Sequence, residues 1–338
     1  MKHQNSLEYA LLCDLQDPLK SCGQLFIKPS IHNQNIYFCG NSLGLQPLKT
    51  KSEIEKVLNT WSSMGVDGHF HPDSDWTNLY KKALPVLARL CGAKPTEVCP
   101  MNSLTVNIHL LLLAFYKPQP GRYKIIAEKG AFSSDIYALD SQIAFHGLNT
   151  KDALIEISPR EGEFTLRTED ILQCIEENKQ NLALVFLSGV QYYTGQYFNL
   201  KTISKSCHRA GALFGLDLAH AIGNVPLQLH NWNIDFATWC TYKYLNGGPG
   251  SPAFVYVTHR HLGQARQPLS GWWGHARPFA FETGYEGDPG IRRFQCGTQP
   301  ILSMRALKGA LAIWDRVDMD VLRAKSLTLT DLFIRLVE

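Results

Sequence analysis

The chain of 338 residues carries 33 Lys and Arg against 30 Asp and Glu, a formal net charge of +3, and 45% of its residues are apolar. This length and apolar content predict a sizeable core, organised as one large α/β domain and a smaller one. Because no block of Lys and Arg is long enough to indicate nucleic acid or an anionic membrane, we expect a small-molecule partner.

Cysteine usage and the amino terminus indicate the compartment. Nine cysteines are scattered without a C-x-x-C pair, which is typical of reduced thiols in a cytoplasmic protein. The first residues carry charges where a signal peptide needs an apolar centre. The longest nearly apolar stretch, 104–116, is much shorter than the ~20 residues that span a bilayer. We therefore expect a cytoplasmic protein that does not enter membranes.

Two loops stand out in the first part of the chain. The loop FCGNSLGLQP precedes a helical pattern, and it either contacts substrate through residues such as Asn41 or only turns the chain. A later polar segment contains His69 and His71, but no third ligand lies at a usable spacing. We therefore expect no metal site, and we expect a histidine of this segment to reach an active site instead.

A strongly apolar helix is predicted from about residue 104. Asn102 or Ser103 can cap its start, and Pro118 follows its end. Free backbone N–H groups at such a helix start commonly hold phosphate, which makes Leu104 and Thr105 candidate phosphate ligands. An ordinary capped and buried helix is an equally good interpretation of these residues.

From residue 124 onward, strand-like and helix-like segments alternate. The strand-like segments are KIIAE, ALIEIS and LALVFLSGV. This alternation predicts a mainly parallel sheet with helices on both faces. Two loops at strand ends are candidate site segments. Phe132 to Asp135 offers an aromatic ring and polar groups, although an aromatic there is more often a core residue, and Ser188 follows the strand LALVFL at the same edge.

The segment 213–252 contains the pair of residues that carries the functional prediction. An apolar run over 212–218 includes Asp217, and a second run over 236–241 is followed by Tyr242 and Lys243. Both runs read as buried parallel strands, whose carboxyl ends meet at one ligand-binding edge with His220. A lysine that holds an aldehyde as a Schiff base and an acid that keeps a pyridine nitrogen protonated indicate pyridoxal phosphate.

Either residue of this pair has a simpler interpretation when taken alone. A lysine before a glycine-rich turn is usually a solvated surface residue, and an aspartate after a strand is often a helix N-cap. Their positions at the ends of two apolar strands, followed by the loop GGPGSP, favour the cofactor. This loop lacks the G-K-[ST] of a nucleotide-binding P-loop.

The sequence resembles the kynureninase family, within the fold-type I aminotransferase superfamily of pyridoxal phosphate enzymes. The resemblance covers nearly the whole chain. It rests on the segments FCGNSLGLQP, MNSLTVNIHLL, AFSSD, GVQYYTGQ, LDLAHAIGNVPLQLHNWNIDFATWCTYKYLNGGPG, SGWWGH and QCGTQPIL.

This resemblance implies a role for each matching residue. Lys243 would carry pyridoxal phosphate as a Schiff base, Asp217 would pair with its ring nitrogen, and Tyr242 would be a proton carrier. The other residues implied at the cofactor are Leu104, Thr105, Phe132, Ser133, Ser134, Asp135, Ser188 and His220, with Tyr242 also on the phosphate. Trp272 and Thr298 would reach the cofactor of a neighbouring subunit, which implies a homodimer, while His69 and Asn41 would lie at the substrate.

The implied reaction is hydrolysis of L-kynurenine to anthranilate and L-alanine, a step of tryptophan catabolism and NAD biosynthesis. Gly297 and Thr298 stand where animal members that prefer the 3-hydroxylated substrate have serine and asparagine, and His69 occupies the matching histidine position. We therefore expect plain kynurenine to be preferred. Two other interpretations stay open: a cofactor-binding remnant without turnover, and a cysteine desulfurase-like lyase using Cys296.

The resemblance also implies a domain division. Residues 1–60 would form an amino-terminal arm and part of a small domain, residues 61–300 the large cofactor-binding domain, and residues 301–338 the start of the small domain. Family members continue for several tens of residues and take an arginine for the substrate carboxylate from there. We therefore expect a small domain that is truncated at the carboxyl end, which motivates the remnant interpretation.

Overall fold

Seven strands form the central sheet of the computed structural model, which describes residues 6–29, 36–263 and 269–338. A separate pair of short strands lies near the amino terminus. The strands are β1 (Phe26–Ile27), β2 (Gln46–Pro47), β3 (Val98–Pro100), β4 (Lys124–Glu128), β5 (Leu154–Ile157), β6 (Leu182–Ser188), β7 (Leu213–Asp217), β8 (Phe236–Trp239) and β9 (Phe254–Val257).

The strand order confirms the mainly parallel sheet that the sequence predicts. The order across the sheet is β3, β9, β8, β7, β6, β4, β5. Strands β4 to β8 pair in parallel, whereas β9 is antiparallel to both of its neighbours. The two strands that precede the candidate carboxylate and lysine, β7 and β8, are therefore adjacent and point the same way.

Helices cover both faces of this sheet. The α-helices are α1 (Leu7–Gln16), α2 (Thr50–Met64), α3 (Leu84–Cys91), α4 (Leu104–Phe115), α5 (Ser133–Phe145), α6 (Thr150–Ala153), α7 (Thr168–Asn178), α8 (Leu200–Arg209), α9 (His259–Leu262), α10 (Ile301–Trp314) and α11 (Met319–Val337). Within the described ranges, no helix is both long and apolar enough to cross a lipid bilayer.

Alternate strand residues build two separate cores, because successive side chains of a strand point to opposite faces of the sheet. On one face, Ile126, Val185 and Phe214 pack with residues of α3, α7, α8 and α10. On the other face, Ile125 and Phe186 pack with residues of α4 and α5. Burial on both faces explains why the strand sequences are continuously apolar.

The carboxyl ends of three neighbouring strands meet at one edge of the sheet. Ser188 at the end of β6 pairs with Asp217 at the end of β7, and Glu128 ends β4 on the other side of β6. The glycine that interrupts β7 is required by packing, since a Cβ on Gly215 would lie 2.3 Å from the Phe236 ring. This close contact keeps β7 and β8 in register below the site.

Helices from the two ends of the described chain pack together. Helix α2 packs along α10, where the buried side chains of Glu53 and Arg305 form an ion pair of 3.2 Å. The last helix, α11, exposes its apolar residues Leu329, Phe333 and Leu336.

Candidate active site

A cavity of about 410 Å³ lies at the carboxyl edge of the sheet, where open α/β sheets bind ligands. Its volume is in the range of small-molecule sites. The lining residues are Asn41, Ser42, Ser103, Leu104, Thr105, Glu128, Phe132, Ser134, Asp135, Ser188, Val190, Tyr192, Asp217, Ala219, His220, Tyr242 and Lys243.

Lys243 presents its amine to this cavity beside a neutral imidazole. Its Nζ lies 2.8 Å from Nε2 of His220. Burial lowers the pKa of His220, and the charge of Lys243 adds to the decrease, so that the pKa is about 4. The imidazole is therefore uncharged at neutral pH, so Nε2 can accept a hydrogen bond from the Lys243 amine.

The amino-terminal loop closes over the backbone of this lysine. The N–H of Gly44 donates to the carbonyl of Tyr242 at 2.8 Å. A Cβ on Gly44 would lie 2.2 Å from the carbonyl oxygen of Lys243, so only glycine allows this approach. The same loop places Asn41 and Ser42 on the cavity wall.

Two buried carboxyl groups, Asp135 and Asp217, also line the cavity. Oδ1 of Asp217 accepts the N–H of Ala219 at 2.7 Å. Burial raises the pKa of Asp217 and, more strongly, that of Asp135, where the neighbouring Asp217 carboxyl adds to the increase. Oδ1 of Asp135 is buried and has no protein partner. Two carboxyl groups with an unsatisfied oxygen form a site for a positively charged N–H group.

Two helix amino termini converge on the cavity. Helices α4 and α5 pack together, and neither Ser103 nor Phe132 at their N-cap positions makes a side-chain capping bond. The hydroxyls of Thr105 and Ser134 are 2.7 Å apart. Free N–H groups, two helix dipoles and two hydroxyls together suit a phosphate group.

An aromatic pair and a buried hydrogen bond complete the walls. The ring of Phe132 contacts Tyr192 edge to face, with centroids 5.4 Å apart. Phe132 is half exposed and lines the cavity, so it is available to stack on a flat ligand. The hydroxyl of Ser188 donates to Oε1 of Glu128 at 2.6 Å.

These residues fit pyridoxal phosphate. An amine suits its aldehyde, a buried carboxyl pair suits a protonated ring nitrogen, an aromatic ring suits its flat ring, and two helix amino termini suit its phosphate. The fit does not depend on family resemblance, since the unsatisfied oxygens of Asp135 and Glu128 are features of this structure.

Four of the residues named from the sequence lie outside this cavity. Ser133 is the first residue of α5 and does not line it. His69 packs edge-on against Trp76, with ring centroids 5.2 Å apart. Trp272 is 43% exposed, and Thr298 is exposed beside a second cavity of about 260 Å³ that also contacts Leu104 and Tyr242.

The candidate nucleophile of the desulfurase interpretation is also outside the main cavity. Cys296 lines the second cavity, and its thiol lies 3.9 Å from the carbonyl oxygen of Leu269. Tyr242 and Leu104 line both cavities, so they form part of the wall between them.

Sequence reasoning missed five residues of the main cavity: Ser42, Glu128, Val190, Tyr192 and Ala219. Glu128 was read only as the end of the strand KIIAE. The position of Glu128 in the sequence could have identified it, because an acidic residue at the buried carboxyl end of a parallel strand lies at the ligand-binding edge. Tyr192 gave no comparable signal, because its position depends on how the loop after β6 folds back.

Comparison with known proteins identifies the family. Residues 36–337 match the family model "Aminotransferase class-V". The chain is 46% identical to the kynureninase of Flavobacterium johnsoniae over 329 residues, which cover 96% of this chain and 77% of that protein. It is 43% identical to the kynureninase of Nematostella vectensis over 341 residues, which cover 96% of this chain and 73% of that protein.

Solved structures show the same fold at lower identity. A C-DES mutant with glycine covalently linked to its PLP cofactor has a TM-score of 0.73 and 18% identity, with 88% of this chain and 74% of that chain covered. The cysteine desulfurase CsdA of Escherichia coli has a TM-score of 0.73 and 17% identity, with coverages of 90% and 73%. At these identities the likeness shows the fold alone. The sequence matches decide the family: this chain belongs to the kynureninases, pyridoxal phosphate enzymes of the class-V aminotransferase family.

Proposed function

We propose that this chain hydrolyses L-kynurenine to anthranilate and L-alanine. The observation that carries the proposal is the placement of Lys243 and Asp217 in one cavity, on consecutive segments that follow the adjacent strands β7 and β8. Identity of 43–46% to kynureninases over almost the whole chain supports the substrate.

The side chains of the cavity divide the chemistry between them. Bound pyridoxal phosphate supplies a protonated ring that accepts electrons when bonds to the substrate carbons break. Lys243 takes the proton from Cα, because it carries the one amine among the side chains that line the cavity. His220 orients this amine through its neutral Nε2. Water adds to the γ-carbonyl of the substrate, after which the Cβ–Cγ bond breaks.

An assay for anthranilate tests the proposal directly. The chain is loaded with pyridoxal phosphate, and anthranilate fluorescence is followed after adding L-kynurenine. Fluorescence that rises with time supports the enzyme, whereas cofactor uptake without anthranilate indicates a binding remnant. Sulfide released from cysteine under the same conditions would instead support the desulfurase interpretation.

We further propose that plain kynurenine is preferred over its 3-hydroxy form. His69 and Thr298 lie outside the main cavity of this chain, so the preference rests on the family resemblance at these positions. The ratio of kcat/KM for the two substrates measures it, and a ratio below one would contradict it.

Tyr242→Phe is expected to lower turnover by about 10²-fold, the usual contribution of one proton-transferring side chain. Burial raises the pKa of Tyr242 well above its ordinary value, with Cys240 adding to the increase, so its phenol keeps its hydrogen at neutral pH and can offer it to a reacting atom as a hydrogen bond. The measurement is kcat for anthranilate, with the cofactor absorbance as a control for binding. Unchanged kcat would remove this role.

We propose that the enzyme is a homodimer with shared sites. Trp272 and Thr298 are carried by two segments that pack together, since the N–H of Trp273 lies 3.5 Å from the carbonyl of Cys296 and Gly271 lies against the Cys296 backbone. Both side chains are exposed rather than directed into the chain's own cavity. This arrangement suits contact with a neighbouring chain.

Mixing two inactive variants is expected to restore activity. Trp272→Ala and Lys243→Ala chains are each weakly active or inactive alone. Random reassociation makes mixed dimers in which one site has both native residues, so roughly a quarter of the wild-type activity should return. Sedimentation before mixing checks that both variants form dimers. No recovery would show that Trp272 serves its own chain or has no role at the cofactor.

We also propose that residues 1–60 and 301–338 contribute to a small domain, while residues 61–300 form the large domain. Packing of α2 on α10 supports this division, and limited proteolysis near its boundaries tests it. None of the nine cysteines, all of which lie in the described ranges, forms a disulfide bond. This supports a reducing compartment such as the cytoplasm, and cell fractionation is the measurement.

A further inference from the structure

Glu128 is a buried carboxyl group of the cavity for which the reaction gives no role. It ends β4 and is 2% exposed. Oε1 accepts the hydroxyl of Ser188 at 2.6 Å, whereas Oε2 is buried and has no hydrogen-bond partner among the described residues. An unsatisfied buried carboxylate oxygen is costly, so this side chain should bind a proton readily or contact a ligand.

The charges around Glu128 come from three sides. Asp217 faces it from the end of β7, Asp135 lies on α5, and the amine of Lys243 shares the same cavity. Burial raises the pKa of Glu128 to about 7, and the charge of Asp217 also raises it, while the hydrogen bond from Ser188 acts in the opposite direction. This carboxyl group is therefore protonated below neutral pH and charged above it.

The protonation state of Glu128 determines what Ser188 can offer to the cavity. A charged Glu128 accepts the Ser188 hydrogen, which leaves only oxygen lone pairs facing the cavity. A protonated Glu128 can donate to the Ser188 oxygen, which frees the hydroxyl hydrogen for a ligand. A serine hydroxyl has one hydrogen, so it cannot serve the carboxylate and an anionic ligand atom fully at the same time.

We infer that Glu128 is a positioning residue that acts through Ser188, switching this hydroxyl between accepting from and donating to the bound cofactor. The inference rests on the proposed function, since it requires pyridoxal phosphate in this cavity. Pyridoxal phosphate carries one ionisable ring hydroxyl. The donating form of Ser188 favours the ionised state of such a group, and the accepting form disfavours it.

The test compares cofactor binding by wild type and Glu128→Gln across pH. A glutamine amide donates to Ser188 at every pH and so imitates the protonated carboxyl group. The apo chains are titrated with pyridoxal phosphate from pH 5.5 to 8.5, and Kd is read from quenching of tryptophan fluorescence. The visible cofactor spectrum is recorded at each pH. Comparing two variants at the same pH removes the titration of the free cofactor. The charge of Glu128 also acts directly on Asp135, and the Ser188→Ala background measures that direct effect separately.

We expect wild type and Glu128→Gln to bind equally below about pH 6. Above about pH 8, wild type should bind pyridoxal phosphate about tenfold more weakly than Glu128→Gln does. A tenfold change corresponds to a difference of about one unit between the pKa of Glu128 in the free chain and in the loaded chain. The visible absorbance band of the cofactor should differ between the two proteins over the same pH range. In a Ser188→Ala background, the same Glu128 change should have no pH-dependent effect, because the intermediary hydroxyl is gone.

Three outcomes would overturn the inference. Equal binding of wild type and Glu128→Gln at all pH values would show that Glu128 does not act on the cofactor. The same tenfold difference in the Ser188→Ala background would show that it acts directly rather than through Ser188. Failure of wild type to bind the cofactor at all would overturn the proposed function as well. Glu156→Gln, an exposed glutamate on neighbouring β5, is the matched control and should bind like wild type.

Discussion

Replacing Lys243 with alanine is expected to abolish anthranilate formation, with a loss of about 10³-fold or more. Among the residues that line the cavity, Lys243 is the one that carries an amine. Its loss removes both the covalent attachment of the cofactor aldehyde and the base for the Cα proton. The measurements are kcat from anthranilate fluorescence and the visible absorbance of the cofactor.

The control for this experiment is Lys201→Ala, which changes an exposed lysine of α8 that lines neither the main nor the second cavity. It should keep wild-type turnover and absorbance. Added methylamine should restore part of the activity of Lys243→Ala, because a small amine can occupy the volume left by the side chain. A Lys243→Ala chain that keeps the wild-type spectrum and turnover would contradict the assignment of Lys243 and, with it, the proposed function.

Replacing Asp217 with asparagine is expected to lower turnover by about 10³-fold and to weaken cofactor binding. The amide has almost the same size, so packing around the end of β7 should survive. An amide does not carry the negative charge that keeps a ring nitrogen protonated. Turnover is measured with saturating cofactor, and the dissociation constant is measured separately, so that the two effects are distinguished.

Asp135→Asn is the matched comparison for Asp217. Burial raises the pKa of both carboxyl groups, but Oδ1 of Asp217 accepts the N–H of Ala219, whereas Oδ1 of Asp135 has no hydrogen-bond partner among the described residues. We therefore expect Asp217 to hold the charge of the pair and Asp135 to hold the proton. An amide in place of a protonated carboxyl group is a small change, and Asp135→Asn should therefore lose less turnover than Asp217→Asn. The opposite order of effects would assign the ring-nitrogen role to Asp135.

Much of the fold followed from local pattern. The alternation of apolar and amphipathic segments predicted parallel strands between helices, and β4 to β8 have this arrangement. The adjacency of β7 and β8 could be anticipated because consecutive strands of a parallel sheet are often neighbours. The reversed direction of β9 could not, since an apolar run has the same pattern in either direction.

The candidate site likewise contains residues that local sequence pattern predicts and residues that it does not. Residues at strand ends and helix starts, such as Ser188, Asp217 and Thr105, could be found because topology brings those positions to one edge of the sheet. Tyr192 lies on a loop, and loop conformation depends on contacts that are distant in sequence. Trp272 and Thr298 could be named only through family resemblance, because nothing in their spacing relates them to the cavity.

The sequence by itself determined the fold class and the family, and it predicted that Asp217 and Lys243 carry the chemistry. It could do so because strand and helix periodicity is local, and because parallel strands place their carboxyl ends on one side. Only the tertiary structure showed that Glu128 is buried against Ser188 with one oxygen unsatisfied. Such a contact depends on strands distant in the chain packing side by side in a medium that excludes water, and no pattern within either strand encodes it.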